Sequence, residues 1–319
     1  MIKRNFTTDS VVMGQNEVPH TNTFLTFWAT RYALQNPVAD FIAPPVLVKR
    51  LSDKYAVYTK STEEVYQTAV GRGEMAKEIN WSIDQAFYHC TPQSLAKSVY
   101  DEDKENVDVP INLDTDAVTE LKKSLSRARE YRVANIFGNS AYITNGTNVN
   151  QAWGTASGTP ITDILTAKAY IAKKNGGYEA NRMVLTLDVA LSILKTDEWK
   201  NQFKYTSPGF ANGLFSVMDG LRNFGIEPMI TMVQGTSGPD IQGSTPQFAT
   251  IWGTNALLFY CEPTPTLQTR TLGYSPYVIK DLIQSVPDLE RRRVKHIITD
   301  KIDETLVDAD CGYLFQYCI

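Results

Sequence analysis

Few residues in this chain could carry chemistry, and they are scattered. There are three histidines, His20, His89 and His296, and four cysteines, at positions 90, 261, 311 and 318. A general base or a thiol–imidazole pair therefore has few candidates. His89 and Cys90 have metal-ligand chemistry, but neighbours on a strand point to opposite faces and cannot both reach one ion. Cys311 and Cys318 also fall on opposite faces of a predicted strand. Carboxylates pair at Asp114/Asp116 and at Asp308/Asp310. The first pair reads as helix capping. The second reads as a turn or strand edge, because a metal-dependent site gathers further ligands that this sequence does not offer nearby. Neither Gly-x-Gly-x-x-Gly nor Gly-x-x-x-x-Gly-Lys-[Ser/Thr] occurs, so dinucleotide and P-loop phosphate binding have no support. Gly154-Thr-Ala-Ser-Gly158 has its serine in the wrong place for a nucleophile elbow. The sequence nominates no catalytic residue, cofactor site or metal site, and the chain reads as a non-enzyme.

The elements that would position any site come from an ordinary globular composition. Of 319 residues, 43 % are hydrophobic, 21 % charged and 11 % aromatic, which excludes a disordered, collagen-like or coiled-coil chain. The length suits one large domain or two intertwined ones. Thirty-one Lys and Arg against 35 Asp and Glu leave a net charge of −4, which disfavours a protein that grips nucleic acid over its whole surface. Four scattered cysteines do not make a disulfide framework and suit a reducing compartment. Lys3 and Arg4 precede only the short apolar run Val11-Val12-Met13, and the longest apolar run is Ala256 to Cys261. Both fall short of a signal peptide or a membrane span, so a soluble cytoplasmic product is expected.

Residues 1–24 are polar and aperiodic, which predicts an arm; a short helix with Phe24, Phe27, Trp28 and Tyr32 should stop before Pro37. Lys54 to Lys60 and Ile79 to Cys90 read as strands, the second with Ile79, Trp81, Ile83 and Phe87 on one face. The connection, residues 61–78, holds Glu63, Glu64, Arg72, Glu74, Lys77 and Glu78 with Gly71 and Gly73. It is far longer than the roughly 2–5 residues of a hairpin loop. A long two-stranded arm with a polar tip follows, and a ribbon of this kind needs another surface to lie on. Val118, Leu121, Leu125 and Ala128 predict a helix over 114–137, ending before Gly138. Lys122, Lys123, Arg127, Arg129 and Arg132 form a basic stripe on it. Beyond the Asn/Gly/Thr/Ser-rich loop 139–158, Thr159-Pro160 opens another helix that Gly176-Gly177 closes. Strands and helices then mix without a βαβ rhythm, which argues an α+β fold.

The order of pieces resembles the major capsid protein of tailed bacteriophages, a shell fold shared with encapsulins. The resemblance is carried by Phe41-Ile-Ala-Pro-Pro-Val-Leu-Val48, Lys54-Tyr-Ala-Val-Tyr58, Trp81-Ser-Ile-Asp-Gln-Ala-Phe-Tyr-His-Cys90 and the long helix. It continues through Ala180-Asn-Arg-Met-Val-Leu185, Ile251-Trp-Gly-Thr-Asn-Ala-Leu-Leu258 and Ala309-Asp-Cys-Gly-Tyr-Leu-Phe315. The resemblance implies an N-terminal arm and extended segment over 1–50, an extended hairpin loop over 51–98, and a peripheral domain with a spine helix over 99–155. An axial domain over 156–268 and C-terminal strands over 269–319 complete it. It also implies hexamers and pentamers in an icosahedral shell around double-stranded DNA, which the shell encloses without sequence-specific binding. No cofactor is implied. Partners would be further copies of the chain, a portal and decoration proteins, and the product would reside in the virion capsid after assembly in the host cytoplasm. No long charged helical segment precedes the arm, so a separate scaffolding protein is expected. There is no match for the lysine–asparagine pair that some relatives join covalently, and neither Lys60 nor Lys77 is nominated.

A shell built by symmetry needs many modest, repeating contacts. The loop-tip residues Glu63, Glu64, Arg72, Glu74, Lys77 and Glu78 are candidates for contacts between subunits. The basic stripe reads on its own as a solvated or ion-paired face; in a shell, part of it is expected to meet acidic groups of a neighbouring loop or to face the lumen. Two other readings stay open: an encapsulin-type shell enclosing a protein cargo, and an α+β enzyme with a site at the glycine-rich loop 235–246.

Overall fold

The computed structural model describes residues 20–21, 37–58, 65–66, 68–76, 78, 83–106, 112–149, 152–203, 213–236, 248–262, 264 and 270–319. Most of the expected N-terminal arm, the helix expected over 24–36, Trp81 and most of loop 235–246 lie outside these residues.

In chain order the first elements are β1 (His20–Thr21), α1 (Ala39–Ile42), β2 (Pro45–Leu47), β3 (Ser52–Tyr58), β4 (Ile83–His89) and β5 (Thr91–Tyr100). Then come α2 (Asp101–Glu105), α3 (Leu113–Phe137), β6 (Gly146–Asn148), α4 (Pro160–Lys174), β7 (Arg182–Thr186), α5 (Leu187–Ile193), α6 (Asp197–Phe203) and α7 (Leu214–Asn223). The last are β8 (Glu227–Thr231), β9 (Gln234–Thr236), β10 (Phe248–Thr250), β11 (Ala256–Phe259), β12 (Gly273–Asp288), β13 (Arg293–Ile302), β14 (Thr305–Leu306) and β15 (Gly312–Gln316). The chain divides into two compact units, one drawn from Met1–Tyr32, Gln93–Leu125 and Ile279–Asp300, the other from Ala33–Pro92, Ser126–Val278 and Lys301–Ile319.

The larger unit is built on a five-stranded sheet of order β6-β15-β11-β7-β8. Strands β7 and β8 run parallel, and β11 is antiparallel to both β7 and β15. Its middle strands read as continuous apolar runs because both faces are buried. Period two then sends neighbours to different cores. Met183, Leu185, Ala256, Leu258 and Phe315 join one cluster with Trp153, Ile164, Ile171, Trp199 and Val217. Val184, Leu257, Phe259 and Leu314 join the other with Val38, Ile42, Val133, Phe137 and Leu272.

Local chemistry fixes the helices around this sheet. Pro160 opens α4, but Thr159 makes no side-chain cap. The Glu198 carboxylate accepts from the amides of Ile161 and Thr162 instead, at 2.8 and 3.1 Å, supplying negative charge where the helix dipole favours it. Gly176 and Gly177 take φ of 64° and 96° at the other end, a conformation that side chains oppose. Within α7, Gly220 lets the helix approach Trp199 so closely that a Cβ there would lie 2.5 Å from the indole.

The smaller unit holds β1, most of β5, α2, the first half of α3 and the adjoining parts of β12 and β13. Its described apolar core is small: Val118, Leu121, Leu125, Ile283 and Ile298. Buried ionic contacts accompany it. Lys122 pairs with Asp281, and Asp300 accepts from the Asp281 amide. Asp281 takes φ of 60° inside β12.

Two expectations need correction here. The α3 N-cap is Asn112, whose Oδ1 accepts from the amides of Asp114 and Thr115 at 3.1 and 3.3 Å; Asp114 and Asp116 lie inside the first turn. The segment after Cys90, grouped with the hairpin over 51–98, is a separate ten-residue strand, β5. The hairpin ladder itself ends at the Ser52–His89 pair, where Cys90 turns inward and donates its thiol to the Pro276 carbonyl.

Candidate interaction surfaces

Among the described residues, strands β3 and β4 pair only with each other, in antiparallel register from Ser52↔His89 to Tyr58↔Ile83. Lys54 faces Phe87 across the ladder and places its ammonium 5.2 Å from the ring centroid. Even so, Phe87 and Ile83 stay exposed. Beyond the ladder, Val65 is 100 % and Met75 93 % exposed, and Val70 is exposed too. A turn gives part of this loop shape: the Glu74 amide donates to the Gly71 carbonyl, and the Gly71 amide donates to the Glu74 carboxylate. Gly73 at φ 89° lets the chain turn there. Of the loop-tip candidates, Arg72, Glu74 and Glu78 are exposed; Glu63, Glu64 and Lys77 lie outside the described residues.

The root of the hairpin is anchored by the Cys90 amide on the Leu51 carbonyl and the His89 amide on the Asp303 carboxylate, at 2.7 and 2.8 Å. Beside it an apolar cavity of about 420 Å³ is lined by Val46, Val48, Tyr55, Tyr88, Pro276 and Val307, with Lys54 and Ala56 also on its wall. Burial there pushes the Tyr55 phenol up, and the charge of Asp303 adds to the effect.

The basic stripe of α3 separates into two groups. Lys122 is buried against Asp281. Arg129 is buried against Asp40 and near Glu304, and Arg132 binds Glu304. These three cations meet carboxylates of their own chain, as an ion-paired face would, and not a neighbouring loop or the lumen. Lys123 and Arg127 remain exposed. Glu130 on the same helix is 1 % exposed and accepts from the Ala39 amide at 2.8 Å and the Trp252 indole at 3.3 Å. Burial pushes its carboxyl up, and those hydrogen bonds only partly oppose the rise.

One constellation escaped the sequence reading. The Nε2 of His296 lies 2.9 Å from Asp114 Oδ1, its Nδ1 2.9 Å from Ser285 Oγ, and Lys104 Nζ 2.9 Å from Asp114 Oδ2. The residues lie up to 192 positions apart in sequence, from 104 to 296, and no motif links them. Connectivity is that of a serine–histidine–acid triad, yet His296 is 2 % exposed. Its two ring nitrogens are engaged in holding α3 to β12 and β13, a structural role. Burial pushes the Asp114 carboxyl up, but the hydrogen bonds from His296 and Lys104 outweigh it and hold the group below its ordinary value.

The remaining sequence candidates have local duties. Asp308 accepts from the Asp310 amide, and Asp310 accepts from Asn145. All four cysteines are buried free thiols, and burial drives Cys318 up to about 12. Among the described residues no group of three or more His, Cys, Asp and Glu side chains is placed to hold a metal ion, and no helix is long and apolar enough to cross a membrane.

A spine helix, a two-faced central sheet and a bare two-stranded hairpin together define the tailed-phage major capsid protein fold, as a mixed helix-and-strand architecture. The chain is similar to a phage-related protein from Bordetella bronchiseptica RB50, with a TM-score of 0.70 at 20 % identity over 95 % of this chain and 99 % of that one. It is similar to the mature capsid subunit of bacteriophage PhiM1, with a TM-score of 0.58 at 9 % identity over 89 % and 87 %. A virus-like particle from Pyrococcus furiosus matches with a TM-score of 0.53 at 9 % identity over 92 % and 96 %. No protein-family model matches the sequence, and the comparison with curated proteins finds no match.

Proposed function

We propose that this chain is the major capsid subunit of a tailed phage, assembling through its own copies into hexamers and pentamers of an icosahedral shell that encloses double-stranded DNA. The observation that carries the reading is the β3–β4 hairpin. A two-stranded ribbon with exposed Ile83 and Phe87 and a loop presenting Val65 and Met75 to water gains stability only by lying on another surface. Fold similarity to capsid subunits over most of both chains supports the same conclusion. In this reading the hairpin within residues 51–90 acts as the extended loop, 99–155 as the peripheral domain, 156–268 as the axial domain and 269–319 as the returning strands. Its role is structural: among the described residues the triad-like cluster of Ser285, His296 and Asp114 is closed to substrate, with His296 buried. The charge of −4 suits a container whose DNA stays mobile. A separate scaffolding protein, a portal and decoration proteins are its proposed partners, and the virion its destination.

Similarity to the Pyrococcus furiosus particle keeps a second shell reading, in which the cargo is a protein. Purifying assembled particles and identifying their contents separates the two: packaged DNA supports the phage reading, and an enclosed enzyme supports the other.

A further inference from the structure

The small core between α3, β12 and β13 brings together three ionisable groups that the shell reading does not use. Lys122 is 9 %, Asp281 8 % and Asp300 6 % exposed. Helical spacing sets Lys122 four residues after Val118 and three before Leu125, on the face of α3 that carries its apolar cluster. Period two sets Asp281 with Ile283 on β12 and Asp300 with Ile298 on β13, all four buried. Lys122 Nζ meets Asp281 Oδ1, an oxygen that is buried and accepts no hydrogen bond of ordinary geometry. Asp300 Oδ1 accepts from the Asp281 amide at 2.6 Å. Asp281 itself takes φ of 60° within a strand. A side chain in that left-handed conformation persists only where its surroundings enforce it, and such residues gather at functional sites.

We propose that Lys122 and Asp281 join in an isopeptide bond within one chain, Lys122 Nζ to Asp281 Cγ, formed after folding with the loss of one water. A proton passes from the ammonium to the carboxylate, giving the neutral amine and acid that burial favours. The Nζ lone pair then bonds to Cγ, the bond from Cγ to the hydroxyl breaks, and the hydroxyl leaves as water with a proton from the nitrogen. Nothing is oxidised or reduced, and no further reactant is consumed. Two features of the site drive a condensation that bulk water opposes. The fold holds the nitrogen against the carboxyl, which replaces an encounter by a unimolecular step. The apolar neighbours Val118, Leu125, Ile283 and Ile298 exclude the water that would reverse it. Asp300 is a positioning residue: by holding the Asp281 amide it fixes the backbone that presents the carboxyl to Lys122. The partners lie 159 positions apart in sequence, from 122 to 281, so the bond closes a long loop and restricts the unfolded chain as a disulfide would. A unit whose described apolar core is five side chains gains from such a staple, and the buried free cysteines do not supply one. Both partners belong to one chain, so the bond links no two copies and stands independently of the shell reading.

Mass spectrometry of the full-length chain, denatured and reduced after prolonged incubation in the folded state, reads the bond directly. The expected mass lies below that of the sequence by one water, and a protease digest is expected to yield a branched peptide joining the segments around Lys122 and Asp281. Lys122→Arg and Asp281→Ala chains are expected at their full sequence masses. In the Asp300→Asn chain, with its fold checked by circular dichroism, a time course after synthesis should show the water lost about tenfold or more slowly; an unchanged rate would overturn the positioning role of Asp300. A folded wild-type chain that keeps its full sequence mass, with the two peptides separate, would overturn the bond itself, as would a water lost elsewhere in the chain.

Discussion

Arg132 grips Glu304 with two nitrogens: Nε lies 3.2 and 3.3 Å from the two carboxylate oxygens and Nη2 lies 2.9 Å from Oε1. The Glu304 side chain is only 7 % exposed, and Arg129 Nε stands 3.9 Å away. One buried carboxylate thus serves two cations of α3. Glu304→Ala should cost about 3 kcal/mol or more, because it strands buried positive charge. Chemical denaturation of the unassembled subunit checks this; a loss under 1 kcal/mol would mean the cluster is hydrated and unimportant.

Glu130 carries a pH signature of the opposite kind to most carboxylates. Its folded value lies above the ordinary one, so the stability linked to its protonation is present at acid pH and lost as pH rises through the folded value. Glu130→Gln keeps an acceptor for the Ala39 amide without burying a charge. The variant should match wild type near pH 4 and equal or exceed it at pH 7, whereas Glu130→Ala should lose about 1–3 kcal/mol throughout by leaving that amide unpaired. Thermal melts across this range decide it.

Asp114 should behave the other way. Its carboxyl is held low, so its contribution is full above the unfolded value near 4 and disappears as pH falls through the lower folded value. Asp114→Asn is expected to cost about 1–2 kcal/mol at pH 7, the modest end of the charged range because a third of the side chain meets water. The gap to wild type should narrow as pH falls below the unfolded value and through the lower folded one. A gap that stayed constant down to acid pH would assign the loss to packing.

Gly220→Ala should destabilise by about 1–3 kcal/mol through overpacking, since the new Cβ would meet Trp199 and Phe203 inside 3 Å. Calorimetry of the unassembled subunit measures it. An unchanged melting temperature would show that α7 can shift outward without penalty.

The parts legible in the sequence were those governed by local periodicity. The helix expected over 114–137 is α3, Leu113–Phe137. Strand β12 was not legible: Pro276 and Pro287 interrupt its pattern, and proline argues against a strand, yet sixteen residues run extended through both. The partners of the basic stripe were hidden for a related reason. Helical spacing shows that Lys122, Arg129 and Arg132 share a polar surface, but not that Asp281 and Glu304, more than 150 positions later, would cover it. Glu130 and His296 were hidden likewise, since their partners Ala39, Trp252, Asp114 and Ser285 meet them only in three dimensions. The hairpin was legible because its length and polar tip are local properties.

Self-assembly is the claim on which the functional account stands, and electron microscopy of the purified full-length chain, expressed alone and with a scaffolding protein, tests it most directly. The account predicts closed shells of uniform size built from rings of five and six subunits. A uniformly monomeric protein under every assembly condition would contradict it.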